Sequence, residues 1–248
     1  MIRFIDIHKR FGSHVVLDGV SLDVDQGEVF YIVGMSGAGK SVLVKHLIGL
    51  IRPDKGQILL DKWDVTWLSE AELYSVRKSC AMVFQNSTLF DAMTVVDNVA
   101  LPIRKHLKLS AGDVRDMALA KLDLVGMRKA ADQMPAELGD GLKKRVAIAR
   151  ALTLDPRYVI FDEPTTGLDP LAAAQVDDLI RTLKAQAGVT SIVVSHDLRS
   201  IFSVADRIAM LYQGKVRIDG TPDEIRASED PVVRQFFSGD PDGPMETT

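Results

Sequence analysis

The segment Gly34-Met35-Ser36-Gly37-Ala38-Gly39-Lys40-Ser41 constrains this chain more than any other stretch. It matches G-x-x-x-x-G-K-[ST], a pattern whose chemistry dictates its surroundings. Glycines let the backbone turn with successive N–H groups pointing inward, which makes a nest for phosphate oxygens. A helix must follow, so that the positive end of its dipole faces the same nest. Both flanks comply. The apolar run Val29–Val33 precedes the loop, and Val42, Leu43, Leu47, Ile48 and Leu50 give an apolar stripe to a helix expected over residues 39–50. Lys40 is expected to reach the β- and γ-phosphates of a nucleotide, and the Ser41 hydroxyl to ligate Mg²⁺.

Short apolar, β-branched runs alternate with helical patterns along the rest of the chain. Strands are predicted over residues 2–8, 20–24, Val29–Val33, 56–60, 81–84, 158–161, 191–195, 207–211 and 215–219. That order implies a mostly parallel sheet covered by helices. Val20, Leu22 and Val24 alternate with Ser21 and Asp23, which points to an antiparallel piece wet on one face. Residues 94–154 read as helical, with amphipathic helices over 111–125 and 142–154. The expected fold class is α/β: a P-loop NTPase (RecA-like) core with an N-terminal antiparallel β portion and an inserted α-helical subdomain. Residues 1–93 and 155–228 make the nucleotide-binding core, 94–154 the helical subdomain, and 229–248 a C-terminal extension. Residues 239–248 (GDPDGPMETT) are small, acidic and proline-containing, and read as a frayed end.

A second half of a nucleotide site is expected at Tyr158-Val159-Ile160-Phe161-Asp162-Glu163. Four apolar residues form a buried strand, and two carboxylates emerge at its carboxyl end, where ligands of open α/β sheets collect. Asp162 is placed to hold Mg²⁺ through water. Glu163 is the candidate to polarise an attacking water. Guanine-specific P-loop proteins usually carry an N-K-x-D element; Asn86 and Asn98, the only asparagines, lie in no such element, which favours adenine. The net charge of −4 gives no support to a nucleic-acid partner. Cys80 is the sole cysteine, so no internal disulfide forms, and its apolar neighbours suit a buried residue in a reducing compartment. No stretch approaches the ~20 apolar residues needed to span a bilayer, and the start lacks a signal-peptide pattern.

Further matches resemble the ABC ATPases in order and spacing, over essentially the whole chain. Phe11, in Lys9-Arg10-Phe11-Gly12, resembles the aromatic that stacks on adenine. Gln85 resembles the glutamine that contacts Mg²⁺ and attacking water. Thr166-Gly167-Leu168-Asp169 looks like the loop contacting the opposite subunit, and His196 like the switch histidine that bonds the γ-phosphate. The resemblance implies ATP and Mg²⁺ as ligands, with Ser41, Gln85 and Asp162 at the metal. It also implies two copies meeting head to tail, each ATP lying between the P-loop of one and a signature segment of the other. Leu89-Phe90-Asp91-Ala92-Met93-Thr94 is the expected contact with a membrane permease, a core role for Leu89 and Phe90 being the alternative.

The signature departs from the family pattern. Where L-S-G-G-Q is usual, the chain reads Leu138-Gly139-Asp140-Gly141-Leu142, held in register by Pro135-Ala136-Glu137 and by Lys144 to Leu152. Gly139, Asp140 and Gly141 are the residues expected to face the partner's nucleotide. The plain reading of Asp140 is a cap for a helix beginning near Gly141. The functional reading is a carboxylate repelling phosphate, and hence slow turnover, or a heterodimer with a subunit carrying an intact signature.

Residues 73–78, 84–90, 97–102, 230–239 and 242–244 resemble the ATPases of Mla-type (Mce-associated) phospholipid transport systems. That resemblance implies a permease, an Mce-type lipid-binding protein and a STAS-domain protein as partners, and a peripheral place on the cytoplasmic side of a bacterial inner membrane. It would also make the tail a subunit contact. Residues 97–102 resemble methionine importers as well, but those usually add a regulatory domain for which the chain has no room. A slow regulatory ATPase is a further alternative, opposed by the presence of Lys40, Asp162, Glu163 and His196. Soluble ABC ATPases of DNA repair and translation usually carry paired units or a long coiled coil, and neither is seen.

Overall fold

In the computed structural model, which describes residues 1–245, the chain builds two sheets with helices packed around the larger one. It opens with β1 (Ile2–Phe11), β2 (His14–Val24), β3 (Val29–Val33), α1 (Lys40–Leu47), β4 (Lys55–Leu60), β5 (Trp63–Asp64), α2 (Glu70–Ser79) and β6 (Cys80–Val83). Then come α3 (Val95–His106), α4 (Ala111–Leu124) and α5 (Asp140–Ala151), with no strand among them. The remainder is β7 (Tyr158–Asp162), α6 (Pro170–Ala187), β8 (Thr190–Val194), α7 (Leu198–Val204), β9 (Arg207–Tyr212), β10 (Lys215–Gly220), α8 (Pro222–Arg226) and α9 (Pro231–Ser238).

The smaller sheet is antiparallel, in the order β2-β1-β4-β5. The larger runs β10-β9-β3-β8-β7-β6, parallel except for the edge strand β10. Every residue of β3, β7 and β8 is buried, because both faces of a parallel sheet are covered. One face carries Tyr31, Val33, Phe161 and Val193 into a core shared with the helical segment and α6. The other carries Phe30, Ile32, Ile160 and Ile192 toward α1 and the small sheet. Register decides where the connecting loops emerge. Ile32 pairs with Val194 and Asp162 with Val194, so the loops after β3, β7 and β8 leave the sheet at one edge, side by side.

Several boundaries differ from the sequence reading, each for a local reason. The helix expected over 39–50 ends at Leu47, because Gly49 takes φ +67° and the Leu50 N–H turns back to the Lys45 carbonyl at 3.0 Å. The helix expected over 142–154 starts at Asp140, and its last turn tightens to a 3-10 turn, Leu152–Leu154. The strand expected from residue 20 begins at His14, where β1 pairs with it across a tight turn. β5 has no counterpart in the sequence pattern, because two residues are too few to show a period. The end expected to fray folds back over residues 239–245. Met245 is buried, its N–H donates to Gln235 Oε1 at 2.7 Å, and Gln235 Nε2 donates to the Asp240 carbonyl. The last three positions of that expected tail, 246–248, lie outside the described residues.

Cys80 is buried, and burial pushes its thiol up to about 12. His46 is 1% exposed on α1, with Nδ1–H donating to the Val42 carbonyl at 2.6 Å and Nε2 buried without a partner. Burial lowers its pKa from 6.5, so the native chain resists a proton that the unfolded chain accepts. Stability should therefore be full above pH 6.5 and fall as pH drops below it. Urea midpoints between pH 7 and 5 should decline more steeply for the parent than for His46→Leu; parallel slopes would show that His46 is not the cause.

Candidate functional site: a phosphate-binding pocket at the edge of the sheet

A cavity of about 590 Å³ opens where the loops after β3, β7 and β8 leave the sheet. Its floor is the loop 34–41 and the first turn of α1. Two glycines here have no substitute. Gly34 has φ +141°, and a Cβ would sit 2.3 Å from the Leu211 carbonyl oxygen. Gly39, at φ +95°, would put a Cβ 2.9 Å from the Val16 carbonyl oxygen. The close approach of β2 and β9 to the loop therefore requires hydrogen at both positions. Lys40 Nζ donates to the carbonyls of Gly34 and Met35 at 2.8 and 2.9 Å, across the mouth of the loop. Burial lowers the pKa of Lys40, and the charges of Glu163 and Asp162 oppose that shift. A buried ammonium so placed gains most from a polyanion.

Ser41 Oγ donates to Asp162 Oδ1 at 2.6 Å, which joins the helix start to the end of β7; Lys45 Nζ lies 3.9 Å from Asp162 Oδ2. Glu163 follows at φ +53°, a conformation that costs a side-chain-bearing residue of order 1 kcal/mol or more. Three contacts hold it there. Its N–H donates to the Val194 carbonyl at 2.9 Å, Oε2 accepts from Thr166 Oγ1 at 2.9 Å, and His196 Nδ1 lies 2.9 Å from the same oxygen. Oε1 has no hydrogen-bond partner among the described residues, which leaves it as the oxygen free to take a proton.

Gln85 lines the same cavity from the loop after β6, as does Phe11 at the end of β1, 51% exposed. Ser36, Gly37 and Ala38 complete the wall. Gly139, Asp140 and Gly141 are not in this pocket. They start α5 on another face: Gly139 is the N-cap residue without a side-chain bond, and a Cβ on Gly141 would lie 3.0 Å from Ala172 on α6. Asp140 is therefore not the cap that the sequence suggested. It sits one position inside the helix, its carboxylate 83% exposed and 3.7 Å from Lys143 Nζ. Leu89 packs against the core while Phe90 is exposed, with the Arg150 guanidinium 5.9 Å from its ring centroid.

Two neighbours of the site went unread in the sequence. Phe236 on α9 lines the pocket, and no local pattern ties it to a loop 200 positions away. Lys144 on α5 is 3% exposed and donates to the Gln85 carbonyl, fastening the helical segment to the loop after β6. Its spacing of four from Ile148 was the available signal, since that places it on the buried face.

A glycine-cradled lysine, a hydroxyl–carboxylate pair and a glutamate beside a histidine, on a parallel sheet whose strand order is interrupted by α3, α4 and α5, define an ATPase of the cassette type. The chain belongs to the ABC transporter family, whose model matches residues 17–166. It is an ATP-binding, ATP-hydrolysing subunit of such a transporter. It is 43% identical to the intermembrane phospholipid transport system ATP-binding protein MlaF of Haemophilus influenzae, over 94% of this chain and 89% of that protein. It is 40% identical to the probable ribonucleotide transport ATP-binding protein mkl of Mycobacterium leprae, over 96% of this chain and 68% of that one. Among solved structures, it resembles the dimeric post-hydrolysis state of the ATP-binding cassette MJ0796 bound to ADP and Pi, with a TM-score of 0.83 and 30% identity, over 90% of this chain and 99% of that one.

Proposed function

We propose that this chain is the ATPase of a phospholipid transporter, working as a homodimer beneath a membrane permease. The observation that carries the substrate class is the match to MlaF of Haemophilus influenzae along nearly the whole chain. No helix among the described residues is long and apolar enough to cross a membrane. The place we assign is the cytoplasmic side of a bacterial inner membrane, held through the permease, with an Mce-type lipid-binding protein and a STAS-domain protein as further partners. A groove of about 420 Å³ between the core and the helical segment, lined by Phe84, Pro102, His106 and Arg150 and close to exposed Phe90, supports the permease contact.

Within the pocket, the loop N–H groups and Lys40 bind the phosphates and Phe11 stacks on the base. Ser41, Asp162 and Gln85 are the residues that would hold Mg²⁺. Hydroxyl, carboxylate and amide oxygens suit a hard cation that keeps most of its waters, and no group of three acidic, histidine or cysteine ligands stands ready for an all-protein cage among the described residues. When bound, the ion would neutralise charge on the phosphates. Glu163 takes a proton from the attacking water at Oε1, while Thr166 and His196 fix Oε2; His196, 62% exposed at its side chain, also faces the γ-phosphate. Slow turnover is assigned to the altered signature, whose Asp140 brings negative charge to the face a partner's ATP would meet.

The substrate class is tested by purifying the chain from its native membrane in mild detergent, then identifying the co-purifying proteins and bound small molecules by mass spectrometry. A permease with bound phospholipid is expected. A permease carrying a ribonucleotide or an amino acid would replace the lipid reading with an importer one.

A further inference from the structure

Between α6 and α7 lies a set of polar side chains that the nucleotide pocket does not use. Ser200 Oγ donates to Asp177 Oδ1 at 2.6 Å, and Tyr31 Oη lies 2.8 Å from Ser200 Oγ. All are buried, Tyr31 and Ser200 to 1% exposure or less and Asp177 to 7%. A serine hydroxyl has one proton, here directed at the carboxylate, so Tyr31 must be the donor to Ser200. The chain of bonds runs from β3 through α7 to α6. Burial raises the Asp177 carboxyl above the usual range; the Ser200 bond and Arg181 oppose this, and Asp197 and Asp178 add to it. A carboxylate kept in such a place needs its hydrogen bond.

We infer that Tyr31, Ser200 and Asp177 form a buried clamp that sets where His196 and Thr166 meet Glu163, making Ser200 and Asp177 positioning residues for ATP hydrolysis. The connections close a ring. Glu163 Oε2 accepts from Thr166 on one side and lies 2.9 Å from His196 Nδ1 on the other. His196 runs into α7 through Asp197, whose side chain caps that helix by accepting from the Arg199 N–H at 3.0 Å and the Ser200 N–H at 3.5 Å. Thr166 runs into α6 through Asp169, which caps it by accepting from the N–H groups of Leu171 and Ala172 at 2.9 Å each. The Ser200–Asp177 bond ties the two helices together and completes the circuit.

α7 has only seven residues, too few to hold itself, so its position comes from what it touches. Ile201 and Val204 give it apolar anchorage, which tolerates sliding. Ser200 gives it a directional one. The His196 ring is itself mostly exposed, and its one polar contact among the described residues is Glu163, so its aim follows α7.

This inference rests on hydrolysis at the pocket, and its test separates the two. ATP turnover and equilibrium ATP binding are measured for the full chain and for Ser200→Ala, Asp177→Ala, Asp177→Asn and Tyr31→Phe. Ser200→Ala and Asp177→Ala should lower kcat about tenfold, as expected for misplaced catalytic groups, with ATP Kd within about twofold of the parent. Asp177→Asn keeps an acceptor for Ser200 and should restore most of the rate. Unchanged kcat in Ser200→Ala overturns the clamp, and so does a loss that Asp177→Asn shares in full. If the alanine variants do not fold, Tyr31→Phe decides: a fall in kcat at constant Kd is required, and parental kcat refutes the clamp. Glu163→Gln is run alongside. If the parent chain releases no phosphate, the hydrolytic reading itself fails. If Glu163→Gln keeps the parental rate, Glu163 loses the base role; if Glu163→Gln is inactive and Ser200→Ala is not impaired, only the clamp fails.

Discussion

Replacing Glu163 by Gln is expected to lower ATP turnover by roughly 10²–10⁴-fold, the range for losing a positioned general base. That loss is about 3 to 5 kcal/mol of barrier. The substitution is selective because of how the side chain is held. A glutamine carbonyl oxygen can still accept from Thr166 Oγ1 and lie beside His196 Nδ1, both now 2.9 Å from Glu163 Oε2, and the backbone bond to Val194 is untouched. What disappears is the basicity of the second oxygen. Binding of ATP, which we assign to the loop and Lys40, should persist. Sedimentation with ATP should then show a dimer that the parent reaches only transiently. A variant that hydrolyses at the parental rate would take the base role away from Glu163.

Restoring the signature should act in the opposite direction. With Gly139→Ser and Asp140→Gly together, turnover is expected to rise, because a carboxylate leaves the face we propose to meet a partner's ATP. A unit charge ~5 Å from a phosphate charge is repelled by about 1 kcal/mol at the dielectric of water and about 3 kcal/mol at an effective value of 20. Those limits correspond to roughly fivefold and a hundredfold. Lys143, 3.7 Å from Asp140, and the 83% exposure of the carboxylate both screen it, so the smaller figure is the better expectation. Folding should not confuse the result. Asp140 in the first turn favours the helix dipole by about 0.3 to 1 kcal/mol, and serine at the N-cap position recovers a few tenths. Phosphate release by the double variant at the parental rate would remove the repulsion argument and leave the altered signature without a kinetic role.

What the sequence disclosed and what it concealed divide along physical lines. The phosphate loop was legible because its glycines answer to backbone geometry: a Cβ at position 34 collides with the Leu211 carbonyl, a constraint written into residue type. β3, β7 and β8 were legible because a strand covered on both faces has nothing but apolar residues to show. From those strands the joint exit of Lys40, Asp162, Glu163 and His196 at one edge follows. Helix ends were less legible, since α1 stops on a glycine turn whose packing against Leu73 belongs to another element. The cap assigned to Asp140 was off by one position, the usual ambiguity when glycine and aspartate adjoin. Least visible were contacts between ordinary residues far apart. Tyr31, Ser200 and Asp177 each read as inconspicuous members of a strand or helix, and Phe236 reaches the pocket only because α9 folds back over the core.

The central claim is that two copies of this chain hydrolyse ATP between them. The most direct measurement is phosphate release from ATP with Mg²⁺, followed as a function of chain concentration. The rate per chain should climb with concentration until the dimer is saturated, and fall by roughly 10²–10⁴-fold in Glu163→Gln. A rate per chain that is constant from the most dilute sample upward, or a rate that survives the loss of Glu163, would contradict it.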